Sequence, residues 1–67
     1  MVKLILDETL KRKGMTRYQL SKITEIKYQI IDNYYKNKVI RYDSSILSKI
    51  CEALDCKISD ILIFLHD

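Results

Sequence analysis

The sequence predicts a single all-α domain of five short helices, and three observations carry that expectation. Turn residues are scarce: 67 residues hold one Gly and no Pro, whereas hairpins and loop-rich folds depend on both types. One local pattern recurs, an apolar residue, a cap position and an apolar residue four beyond the cap. It occurs at Met15-Thr16…Leu20, Ile26-Lys27…Ile31, Tyr42-Asp43…Leu47 and Ile58-Ser59…Ile63, the spacing of the hydrophobic staple at a helix start. Finally, Leu47, Ile50, Cys51 and Leu54 follow the i, i+3, i+4, i+7 rhythm of one helical face.

Taken in order, the first helix has Asp7 and Glu8 in its opening turns and Lys11, Arg12 and Lys13 in its last, an arrangement that complements the helix dipole. Leu6 and Leu10 stand one turn apart facing inward, and Gly14 supplies the left-handed stop. The second helix begins near Thr16, which forms a capping box with Gln19, and ends near Thr24. The third begins near Lys27 and ends near Lys36, where Asn37 is the next best left-handed residue after Gly. Asp43 caps the fourth, which Asp55 and Cys56 close; Ser59 starts a fifth, about Asp60 to Leu65. The longest link is Asn37 to Tyr42.

A chain this short buries only about 60% of its unfolded surface, so helices this brief pack crosswise around one core. The expected core is Leu6, Leu10, Leu20, Ile23, Ile26, Ile31, Tyr34, Leu47, Ile50, Cys51, Leu54, Ile58, Ile61 and Leu62. One domain, 1–67, accounts for the whole sequence.

Composition narrows the function. Apolar types at 48% and charged residues at 31% suit a soluble globule. The longest apolar run, Ile61 to Leu65, is far shorter than the roughly 20 residues that span a bilayer. Asp7 and Glu8 end the N-terminal apolar stretch, so no signal peptide is expected and the cytoplasm is the default location. Cys51 and Cys56 fit no common zinc spacing, and the single histidine, His66, is next to last; two small core thiols and no metal or cofactor are the expectation. With no central histidine, nucleophile–base spacing or paired carboxylates, catalysis is not expected.

The net charge of +3 conceals a strong asymmetry. Residues 11–41 carry nine basic side chains (Lys11, Arg12, Lys13, Arg17, Lys22, Lys27, Lys36, Lys38, Arg41) against Glu25 and Asp32, a net of +7, while residues 42–67 carry a net of −3. A positive field confined to one segment points to a polyanionic partner, although a solvated basic face has the same composition. Lys11, Arg12 and Lys13 either face such a partner or serve only the end of the first helix.

The second and third helices carry the motif. Leu20 and the small Ser21 lie on the second, Thr24-Glu25-Ile26 turns the chain, and Ile31 and Tyr34 lock the third against it. This spacing resembles the helix-turn-helix unit of the phage-repressor (Cro-like, XRE) family, with similarity running from about Leu4 to Leu65. Its strongest blocks are Lys13-Gly14-Met15-Thr16-Arg17-Tyr18-Gln19-Leu20, Asn37-Lys38-Val39 and Lys49-Ile50-Cys51-Glu52-Ala53-Leu54-Asp55-Cys56. Two positions depart from the family pattern. Glu25 stands where Gly is usual, at a cost of about 1 kcal/mol for a left-handed non-Gly residue. Lys27 stands where Ser or Thr usually caps the third helix; its ammonium accepts no hydrogen bond and opposes the dipole.

The resemblance implies a lambda-repressor-like fold that binds double-stranded DNA, with the third helix in the major groove. The positions facing base edges are then Lys27, Tyr28, Gln29, Asp32 and Asn33. Gln29 suits adenine, Lys27 guanine and Tyr28 a thymine methyl; Asp32 either accepts from cytosine N4 or orients a neighbour, and Asn33 meets a base or a phosphate. Phosphate contacts fall to Arg17, Gln19, Lys36, Asn37, Lys38 and Arg41, with the N–H groups at the start of the second helix also suited to a phosphate. Each of the base-facing positions has a plain alternative as solvated helix surface. The expected mode of action is repression by operator occupancy, since the chain has no evident activation or ligand domain. Ile63 and Phe64 exceed what one short helix can bury and are assigned to a homodimer interface. The rival reading gives that surface to a different protein, making the chain an adaptor or antitoxin-like partner. A membrane is not expected as a partner, because the charge and the apolar run occupy different segments, and no small-molecule ligand is evident.

Overall fold

In a computed structural model, which describes residues 1–66, four of the five expected helices form near their expected positions. They are α1 (Leu6–Lys13), α2 (Arg17–Thr24), α3 (Tyr28–Tyr35) and α4 (Ser44–Leu54). Gly14 ends α1 at φ 65°, and its N–H returns to the carbonyls of Leu10 and Lys11. The capping box of α2 is complete: Gln19 N–H donates to Thr16 Oγ1 (3.1 Å) and Thr16 N–H to Gln19 Oε1 (2.9 Å). Asp43 Oδ1 accepts from Ser45 N–H at 2.8 Å and starts α4. Asn37 at φ 58° and Asp55 at φ 50° take the left-handed conformation beyond α3 and α4.

The expected fifth helix does not form. Ile58–Asp60 is a single 3₁₀ turn, and Leu62–Phe64 is a strand (β2) paired antiparallel with Val2–Leu4 (β1), in the register Val2↔Phe64, Lys3↔Ile63 and Leu4↔Leu62. The domain is therefore mostly helical but not all-α. A six-residue helix is too short to repay its nucleation, whereas pairing satisfies the backbone of both segments at once. The pairing extends past the strands, where Ile5 N–H donates to the Ile61 carbonyl, and Leu65 N–H to the Met1 carbonyl, each at 2.7 Å. Ser59 is not a cap; the turn instead opens with Lys57 N–H donating to Asp60 Oδ2 (3.0 Å). Thr9, fully buried on α1, donates its hydroxyl to the Asp60 carbonyl, and Arg12 donates to Thr9 Oγ1 (3.0 Å), so this clasp is fastened to α1. The Lys57 N–H, ahead of Arg12, holds the Asp60 carboxyl below its ordinary range.

The core consists of Leu4, Leu6, Leu10, Leu20, Ile26, Ile31, Tyr34, Ile50, Leu54 and Ile61. Leu47, Cys51 and Leu62 pack at its edge, half-buried. Two expected members lie outside it: Ile23 on α2 is 58% exposed, and Ile58 in the 3₁₀ turn is 50% exposed. Leu4 enters instead, delivered by β1. Ile63 and Phe64 are consecutive residues of one strand and therefore point to opposite faces of the sheet. Ile63 is half-buried and Phe64 exposed, so the two do not form one flat patch. Both cysteines are free thiols; burial, with Cys51 alongside, pushes the Cys56 thiol up to about 11.

Candidate nucleic-acid interface

The interface is built on the α2–turn–α3 unit. Glu25 makes the turn at φ 61°, ψ 19°, the left-handed geometry that the family pattern gives to Gly. Hydrogen bonds from α2 hold this strained residue in place. Ser21 Oγ donates to the Ile26 carbonyl (2.6 Å), Ile26 N–H donates to Thr24 Oγ1 (3.2 Å), and Thr24 Oγ1 donates to the Leu20 carbonyl (2.7 Å). Ser21 thus does more than give α3 room to approach: it ties the far side of the turn to α2.

The helix that follows begins without a cap. Lys27 occupies the N-cap position at φ −57°, ψ 138° and makes no side-chain cap hydrogen bond. Its carbonyl accepts from Ile30 and Ile31 N–H, while the first N–H groups of α3 have no side-chain acceptor. Helical periodicity then divides α3 into stripes. Ile31 and Tyr34 face the core. Gln29 and Asn33, one turn apart, form an amide pair in which Gln29 Nε2 donates to Asn33 Oδ1 at 3.0 Å. Asp32, Tyr35 and Lys36 form a third stripe facing the start of α2.

Asp32 is the expected site residue whose setting departs furthest from base reading. It is only 8% exposed. Its Oδ1 accepts from Arg17 Nη1 at 2.6 Å, and its Oδ2 from Lys36 Nζ at 3.1 Å. The Lys36 ammonium, ahead of Arg17 and against the opposing effect of burial, holds the Asp32 carboxyl below its ordinary range. Each Asp32 oxygen is thus engaged by a cation. Arg17 also lies over the Tyr35 ring, 4.3 Å from its centroid. The 32, 35, 36 spacing was readable as one helical stripe, but the arrival of Arg17 from α2 required the tertiary structure.

The remaining expected residues divide between open and engaged. Lys27, Tyr28 and Gln29 are exposed at the first turn of α3, and Asn33 is half-buried one turn on. Gln19 is exposed, with its carbonyl oxygen given to the Thr16 cap. Asn37 is exposed, but its Oδ1 accepts from Leu4 N–H at 2.9 Å, which joins β1 to the segment after α3. That segment is pinned at its other end by Tyr34, whose hydroxyl accepts from Asp43 N–H at 3.0 Å. Between the pins Lys38 and Arg41 are exposed, with Ile40 beside them 92% exposed. No helix among the described residues is long and apolar enough to cross a membrane.

Comparison with known proteins agrees with this geometry. The model of the Cro/C1-type helix-turn-helix DNA-binding domain matches residues 5–67. The chain is also similar to the SPbeta prophage-derived uncharacterized HTH-type transcriptional regulator YopS of Bacillus subtilis (strain 168): 36% of 62 residues are identical, spanning 90% of this chain and 81% of that protein. This family is a class of DNA-binding domains and not of enzymes. The chain therefore belongs to the Cro/C1-type helix-turn-helix DNA-binding domain family.

Proposed function

We propose that the protein binds a specific double-stranded DNA sequence through the first turn of α3 in the major groove, and represses transcription by occupying its operator. The observation that carries this reading is the bare start of α3. A helix N-terminus that lacks a side-chain acceptor and carries a lysine suits a polyanion better than it suits the isolated fold. Lys27, Tyr28 and Gln29 are the base-reading residues, with Asn33 holding the Gln29 amide. Arg17, Lys36, Lys38 and Arg41, together with the Gln19 amide and the Asn37 amide nitrogen, contact phosphates on either side. The similarity to a protein named as a transcriptional regulator supports the regulatory part of this reading.

Selection of bound duplexes from a random pool at physiological salt tests it directly. Gln29→Ala then relaxes preference at one base pair and costs about 1–3 kcal/mol there, whereas Lys38→Ala weakens all sequences alike and lowers the salt slope by about one. If Gln29→Ala weakens every duplex equally, α3 is not the reading helix.

The reading includes a homodimer, which places two α3 helices on half-sites about 34–36 Å apart. The exposed apolar side chains at the clasp, Met1, Val2, Phe64 and Leu65, favour a contact there, centred on Phe64, with Ile63 on the opposite face of the sheet. Phe64→Asp is expected to yield a monomer by sedimentation; an unchanged mass removes the dimer from the reading.

A further inference from the structure

We propose that Asp32 is a positioning residue for DNA recognition, holding Arg17 of α2 and Lys36 of α3 as one pre-aligned clamp for the phosphate backbone. The proposal rests on the reading of α3 as the DNA-contacting helix and adds a role that charge alone does not suggest. A carboxylate beside a polyanion is repelled by it, and Asp32 cancels one of the two cations it touches. A surface selected only for positive charge gains from losing it. What Asp32 supplies is geometry.

The arrangement has three fixed contacts. Asp32, nearly buried in the middle of α3, accepts from Arg17 Nη1 at 2.6 Å and from Lys36 Nζ at 3.1 Å. The Tyr35 ring supports the Arg17 guanidinium from one face, at 4.3 Å. A planar guanidinium gripped at an edge and supported on a face has lost most of its freedom before any ligand arrives. Both cations still reach solvent, with side chains 34% exposed for Arg17 and 48% for Lys36. Among the described residues, Asp32 is the only hydrogen-bond partner of either side chain, so most of their N–H donors remain available.

The cluster also sets the relation between two helices. Arg17 is the first residue of α2, and Lys36 follows the last residue of α3. Joined through Asp32, they place cations from both helices at a fixed separation on one side of the reading face. A structural role for the ion pairs alone is a weak explanation, because partly buried ion pairs add little net stability.

The test uses fluorescence anisotropy on the full chain, with its selected duplex and an unrelated duplex of equal length at one salt concentration. Asp32→Asn keeps the shape and removes one negative charge. If Asp32 matters only as a charge, both duplexes bind tighter by the same factor, and the proposal is overturned. If it positions the clamp, affinity for the selected duplex falls about tenfold while the unrelated duplex binds as well as before or better. The specificity ratio then drops. In a chain already carrying Arg17→Gln and Lys36→Gln, adding Asp32→Asn is expected to leave that ratio unchanged; a further drop there means Asp32 does not act through the two cations. Should Asp32→Asn fail to fold on thermal melting, Arg17→Lys serves in its place. It keeps the charge but loses the planar fork, and an unchanged ratio overturns the clamp. A wild-type chain that selects no duplex at all removes the DNA reading itself, and the clamp with it.

Discussion

Two helices of equal length meet at Glu25, and they begin in opposite ways. α2 opens with a complete capping box: Thr16 and Gln19 exchange hydrogen bonds with each other's backbone, and the cap residue is extended. α3 opens without a side-chain cap, since Lys27 provides no acceptor and sets a positive charge at the positive end of the helix. Both stay folded because Leu20 of α2 and Ile31 of α3 are fully buried in a shared core, and because Ser21 binds the turn between them. Local capping is thus dispensable for α3, whose stability comes from packing. Its first turn carries no side-chain cap, while the capped α2 packs beside it.

Five substitutions break or sharpen that contrast. The largest effect is expected from the shared core: Leu20→Ala and Ile31→Ala should each cost about 2–5 kcal/mol in chemical denaturation. A small loss at Ile31 would mean that α3 is not held by packing. Next come the two cap positions. Thr16→Ala should destabilise the fold by about 1 kcal/mol, and Lys27→Ser should stabilise it by a similar amount. Lys27→Ser should also weaken duplex binding, so that stability and affinity move in opposite directions at the start of α3. If they rise together, the bare cap has no connection with DNA. The smallest effect belongs to the turn. Glu25→Gly relieves about 1 kcal/mol of left-handed strain but adds roughly 0.5 kcal/mol of unfolded-chain entropy. The net gain is about 0.5 kcal/mol, readable as a small rise in the denaturation midpoint.

The four helices were legible because their signals are local. Thr16 with Gln19, Asp43 with Leu47 and Gly14 after Lys13 each lie within one turn of the feature they specify. The same logic failed at Ile58-Ser59…Ile63, which has staple spacing but no helix. The competing structure was a strand partner at Val2–Leu4, roughly sixty residues away, and no window on either segment contains the other. Leu4 was missed as core for the same reason, and Ile23, expected in the core, lies on the exposed side of α2.

The candidate site divides in the same way. Lys27 and Gln29 were readable as the opening turn of a helix inside the basic segment, because charge and periodicity are properties of consecutive residues. The engagement of Asp32 with Arg17, of Asn37 with Leu4 and of the Tyr34 hydroxyl with Asp43 was not, since each joins separate elements.

By itself, then, the sequence determined where the four helices start and stop, which segment is positive and that Lys27 gives α3 no cap, all of which follow from backbone hydrogen bonding and charge over a few residues. The tertiary structure decided that the two ends of the chain close as a sheet, and which polar side chains stay open to a partner. Those outcomes depend on which distant groups arrive to satisfy a carboxylate, an amide or a strand edge, and only packing determines that.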